Sequence, residues 1–110
     1  MTEKELIASA VQVVPSERQY RWMKMGLIAF IHFSLNTYYD KEWGDGTEDP
    51  VMFNPEQCDT DSWCKLLAEC GFKLAILTCK HHGGFCLWPS KYTDYSVKNS
   101  PWKQSYHLHK

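Results

Sequence analysis

Two short apolar runs separated by one amphipathic helical pattern constrain this chain more than any other feature. Residues 26–33 read Gly-Leu-Ile-Ala-Phe-Ile-His-Phe, and residues 73–78 read Lys-Leu-Ala-Ile-Leu-Thr. Each run is brief and apolar at successive positions. The first, with its β-branched and aromatic side chains, has the pattern of a strand buried on both faces, as in parallel sheets. Between them, Trp63, Leu66, Leu67 and Cys70 recur at i, i+3, i+4 and i+7, which is one helical face. Asp59 or Thr60 caps the start, Asp61 suits the positive end of the helix dipole, and Gly71 suits a left-handed stop. The spacing predicts a helix over 59–71 and a strand over 73–78. Strand, helix, strand is one βαβ unit, and its strands pair in parallel. A shorter helix is expected upstream, opened by a capping box of Ser16 with Gln19 and running to about Lys24.

Two parallel strands cannot cover their own faces; they need helices on both sides or closure into a barrel. Residues 92–102 add aromatic, polar and turn residues but no further strand–helix pair. The expected class is therefore α/β, with residues 1–110 forming the first part of a larger α/β protein. Its exposed strand edges favour association.

Composition excludes several functions. Lys+Arg number 12 and Asp+Glu 13, with no basic run, so the chain lacks the electrostatic footprint of a nucleic-acid binder. The longest apolar stretch, residues 27–33, already contains His32 and is far shorter than the ~20 residues of a membrane helix. Ala8-Ser9-Ala10 has the small residues of a signal cleavage site, but only Leu6 and Ile7 precede it, where about 7–15 apolar residues are needed. A cytoplasmic chain is expected. The five cysteines, Cys58, Cys64, Cys70, Cys79 and Cys86, are odd in number and include no CxxC pair, so buried, reduced thiols are expected rather than disulfides.

Ligands of parallel α/β proteins bind at the carboxyl ends of the strands. Here His32 lies near the end of the first strand, and His81 with His82 just follows the second. The connection between strand and helix, residues 34–58, far exceeds the usual ~2–6 residues, and such loops are often functional. It carries Glu42-Trp43-Gly44-Asp45-Gly46. Directional polar groups beside an indole suit a sugar, whose hydroxyls need donors and acceptors and whose C–H face packs on an aromatic ring.

These segments resemble the α-L-fucosidase family of glycoside hydrolases. The resemblance runs over about residues 15–103 and rests on residues 26–32, Glu42-Trp43, Phe53-Asn54-Pro55, Asp61-Ser62-Trp63 and above all residues 77–100. The last segment holds Lys80-His81-His82-Gly83-Gly84-Phe85 and Ser90-Lys91-Tyr92-Thr93-Asp94-Tyr95-Ser96. The Glu-Trp-Gly-Asp-Gly form is similar to the branch acting on α-1,3/1,4-linked fucose. The resemblance implies a partial (β/α)8 TIM barrel, retaining hydrolysis of terminal α-L-fucosyl groups on fucosylated glycans, and no organic or metal cofactor. It implies fucose-binding roles for His32, Glu42, Trp43, His81 and His82, with Trp43 also shaping the pocket wall. Gly83 stands where the family usually has Asp, which removes a carboxylate able to orient a neighbouring histidine. The acidic residues Asp45, Glu48 and Asp94 match neither catalytic carboxyl of the family, so no catalytic residue is expected here and the isolated chain should be inactive. Residues 104–110 do not resemble the family's continuation, as an interrupted or frameshifted reading frame would explain. Two alternatives remain: a non-catalytic sugar-binding protein, and a small metal-binding module built from Cys79, His81, His82 and Cys86 or from His107 and His109. The latter has Cys/His donors but lacks paired ligand arms.

Overall fold

The computed structural model describes residues 1–102. Strand β1 (Ile28–Ile31) pairs in parallel with β2 (Leu74–Leu77), in the register Ile28↔Leu74, Ala29↔Ala75, Phe30↔Ile76 and Ile31↔Leu77. The helix between them spans Thr60–Glu69, so the βαβ unit stands as expected, with each element shorter than its sequence pattern. Its termini are built as the residue types dictate. The Asp59 carboxylate accepts from the Ser62 backbone N–H at 3.0 Å, satisfying a donor the first turn leaves free. At the other end Gly71 takes φ +87°, which lets Gly71 N–H reach the Ala68 carbonyl and Phe72 N–H the Leu67 carbonyl, both at 3.0 Å. That pair of reverse bonds closes the last turn.

Two helices precede β1. The first, Glu3–Ala10, opens with a capping box between Thr2 and Glu5. It was not anticipated, although Thr2-x-x-Glu5 is itself a start signal. The second, Glu17–Met23, has the expected box: Gln19 N–H meets Ser16 Oγ at 3.3 Å, and Ser16 N–H meets Gln19 Oε1 at 2.8 Å.

The expectation of strands buried on both faces is corrected. Phe30 is 58% exposed and Leu77 42%. The helix face is also half open, with Leu66 61% exposed. An apolar run encodes burial only where neighbouring strands and helices exist to supply it, and among the described residues this sheet has two strands. The thiols follow the same logic. All five cysteines are free, but only Cys86 is buried; Cys58 is half-buried, and Cys64, Cys70 and Cys79 are exposed.

The core sits past the strand ends. Leu35, Phe53, Phe85 and Val97 are each at most 2% exposed, with Phe33, Tyr38, Tyr39, Leu87, Tyr95 and Trp102 packed around them. Short 3₁₀ turns at Leu35–Tyr39, Pro50–Met52 and Val97–Asn99 deliver these side chains. Residues 92–102, read as a turn-rich stretch, fold back onto the loop after β2. Cys86 N–H donates to the Tyr95 carbonyl at 3.1 Å, and Val97 N–H donates to the Cys86 carbonyl at 3.0 Å. The result is an aromatic platform beneath the carboxyl edge of the sheet.

Candidate functional site

Because the strands are parallel, whatever follows each of them emerges at the same edge. His32 leaves β1 there, and His81 and His82 follow β2 after three intervening residues. The rings of His32 and His81 lie 5.2 Å apart at 72°. His32 Nδ1 is 3.2 Å from Thr78 Oγ1, and Phe30 packs edge-on against the same ring at 4.4 Å. His81 is half-buried. Its Nδ1 has no hydrogen-bond partner among the described residues, and neither has Asn36 Oδ1. Both residues line one small cavity with Glu48 and Tyr95.

The 34–58 connection brings the second half of the site. Trp43 stacks on His82 with centroids 5.8 Å apart and planes inclined by 26°. His82 Nδ1 lies 3.4 Å from the Gly44 carbonyl. A carbonyl only accepts, so this contact is a hydrogen bond in the tautomer that carries its proton on Nδ1, which leaves Nε2 as an acceptor. Trp43 is 65% exposed. Glu42 is exposed beside it; its backbone carbonyl accepts from Asn36 Nδ2 at 3.2 Å. The structure thus joins His32 to His81 and His82 to Trp43. Glu42 is carried on the same loop, without a contact to the histidines.

Glu48 was missed as a site component. Its carboxylate is only 4% exposed and collects four donors: the N–H groups of Asp45 and Gly46 at 3.0 Å each, Tyr95 Oη at 2.9 Å and Lys41 Nζ at 3.2 Å. Burial alone would raise its pKa, but the backbone donors, the Tyr95 hydroxyl and Lys41 prevail and bring it from 4.5 down to about 2. Its contribution to stability is therefore complete above its ordinary value of 4.5 and is lost as pH falls through about 2. Burial and then Glu48 push the Tyr95 phenol up. The exposed Asp45 is held near 2, chiefly by the Thr47 hydroxyl and then its N–H. A glutamate among glycines and aspartates reads as a solvated loop charge. The one sequence signal for its role is the Asp45-Gly46 turn that aims two N–H groups at it.

Gly83 has a local explanation. A Cβ there would lie 3.1 Å from Gly44 Cα and 3.2 Å from its carbonyl carbon. The two loops touch backbone to backbone, and the Gly44 carbonyl faces His82. Gly83→Ala is expected to overpack this junction and cost about 1–3 kcal/mol, read as a lower urea midpoint with an unchanged slope. An unchanged midpoint would show that the junction yields freely.

Among the described residues no three His, Cys, Asp or Glu side chains come together to hold a metal ion. Within the proposed Cys79, His81, His82 and Cys86 set, the thiols face the Leu77 and Gly84 carbonyls, each at 3.7 Å. His107 and His109 lie outside the described residues. No helix among the described residues is long and apolar enough to cross a membrane.

Residues 7–106 match the family model described as alpha-L-fucosidase. The chain is 48% identical to alpha-L-fucosidase 1 of Arabidopsis thaliana over 90 residues, which are 82% of this chain and 18% of that protein. Among solved structures, it resembles a glycoside hydrolase 29 family member from an unknown rumen bacterium, with a TM-score of 0.78 and 56% identity, covering 84% of this chain and 17% of that one. It also resembles a Ruminococcus gnavus family 29 fucosidase solved in complex with fucose, with a TM-score of 0.74 and 42% identity, covering 83% of this chain and 19% of that one. The chain spans less than a fifth of the length of these relatives.

Proposed function

The chain belongs to the α-L-fucosidase family of glycoside hydrolases, and on that premise we propose that it supplies the fucose-binding half of an active site built on a partial (β/α)8 barrel. The observation that carries this reading is a pair of ring contacts past the carboxyl ends of two parallel strands, His32 with His81 and His82 with Trp43, on the neighbouring residues 81 and 82. Barrel active sites lie at that face. The histidine ring nitrogens exchange hydrogen bonds with fucose hydroxyls, and Nε2 of His82 accepts one. Trp43 offers an exposed indole face to the C–H side of the pyranose, and Glu42 beside it accepts from a further hydroxyl. The substrates are terminal α-L-fucosyl groups of fucosylated glycans. The fucose complex of the Ruminococcus gnavus relative supports this choice of sugar.

The same residues do not provide hydrolysis. Retention requires two carboxyl groups about 5–5.5 Å apart, one nucleophile and one acid/base. Glu48 is buried and saturated with donors, and Asp94 is tied to Lys98. Asp45 is spent on Thr47 and Lys41. None of the three faces the histidine edge as a free carboxyl.

Titration of the 110-residue chain with L-fucose, followed by tryptophan fluorescence, tests the reading. Saturable quenching by fucose is expected, with His82→Ala weakening it about tenfold or more, a loss of 1.4 kcal/mol or above. Equal responses to L-fucose and D-glucose, or an unaltered His82→Ala response, would refute it.

A further inference from the structure

We propose that Glu48 is the positioning residue of this site: its buried carboxylate grips the backbone of the Trp43 loop from beneath and holds the indole against His82. The inference rests on the reading of the site as a fucose pocket. Each oxygen of Glu48 joins two segments. Oε1 accepts from Asp45 N–H and Lys41 Nζ, while Oε2 accepts from Gly46 N–H and Tyr95 Oη. Lys41 and residues 45–46 flank the Glu42-Trp43-Gly44 segment on both sides, so the carboxylate closes that segment into a small ring. The fit is tight on the inside: a Cβ on Gly44 would come within 3.0 Å of Oε1. On the outside, Gly44 meets Gly83 backbone to backbone and offers its carbonyl to His82. Gly44 is therefore held between Glu48 and the loop after β2, and Trp43 is the neighbouring residue on the strip so held. Tyr95 links the ring to the core, since its own ring packs edge-on against Phe85 at 5.5 Å.

A carboxylate is the group this position needs. Four donors converge on two oxygens, and one of them is an ammonium. Glutamine would keep one oxygen and turn an N–H₂ donor toward groups that are themselves donors, leaving buried N–H groups unsatisfied. Glu48 touches no substrate in this account; it acts through Gly44 and Trp43.

The test compares the 110-residue chain with E48Q and Y95F by NMR, reading the cross-peaks between the Trp43 indole and the His82 ring, the Leu35 and Val97 methyls, and the fucose dissociation constant. Y95F retains the ring against Phe85 and removes one of the four bonds. The expected result is loss of the Trp43–His82 cross-peaks in E48Q with about tenfold weaker fucose binding, the scale of one or two lost hydrogen bonds. Y95F shifts the same resonances in the same direction by less, and the core methyls hold still in both. Unchanged cross-peaks and affinity in E48Q would overturn the proposal; should E48Q not fold, unchanged cross-peaks in Y95F would do so. A wild-type chain that shows the Glu48-dependent cross-peaks yet ignores fucose would sustain the positioning role and refute the fucose reading.

Discussion

Replacing Phe53 with alanine is expected to cost about 3–5 kcal/mol, the range for emptying a buried aromatic site. Phe53 is 1% exposed and meets four rings, those of Phe33, Tyr38, Phe85 and Trp102, at centroid distances between 5.2 and 5.8 Å. It is thus the shared contact of the 34–58 loop, the loop after β2 and the 92–102 segment. A whole domain holds only about 5–15 kcal/mol of net stability, and this chain leaves its sheet faces open, so the loss takes most or all of its margin. Urea denaturation followed by near-ultraviolet circular dichroism checks it. The aromatic signal of the variant should be absent or lost at a far lower midpoint. A midpoint within the wild-type error would mean that the platform tolerates a cavity at its centre.

The second large effect is in catalysis. The 110-residue chain is expected to release no aryl alcohol from an aryl α-L-fucoside above the buffer rate, while a full-length relative assayed alongside turns over. The expectation rests on the proposed reading, in which these residues bind the sugar and supply no nucleophile; the covalent route is then closed, and positioning alone does not replace it. Turnover that follows the chain through purification, and that Asp94→Asn abolishes, would show a working carboxylate where the structure places an ion pair with Lys98.

How much of this was legible in the sequence depended on how local each feature is. The Ser16–Gln19 box, the Asp59 cap and the Gly71 stop were readable because each is decided within one helical turn. The histidine edge was readable because parallel pairing sends both strand ends the same way. The core was not, since Leu35, Phe53, Phe85 and Val97 sit in irregular segments that carry neither a helical nor a strand period. Strand burial was overestimated because Phe30 and Leu77 look like core residues but have nothing over them here. The buried place of Glu48 was hidden for a related reason: its partners Lys41 and Asp45 are close in sequence, but Tyr95, which ties it to the core, lies 47 residues away.

Histidine and indole ¹⁵N NMR during a fucose titration decides whether His32, His81, His82 and Trp43 form one fucose-binding edge. The ring nitrogens of His32, His81 and His82 and the indole of Trp43 should shift together along one binding curve, while the indole of Trp63, beside the Phe33 ring, stays in place. Shifts confined to Trp63 and its surroundings, or histidine shifts that follow a different curve from Trp43, would contradict it.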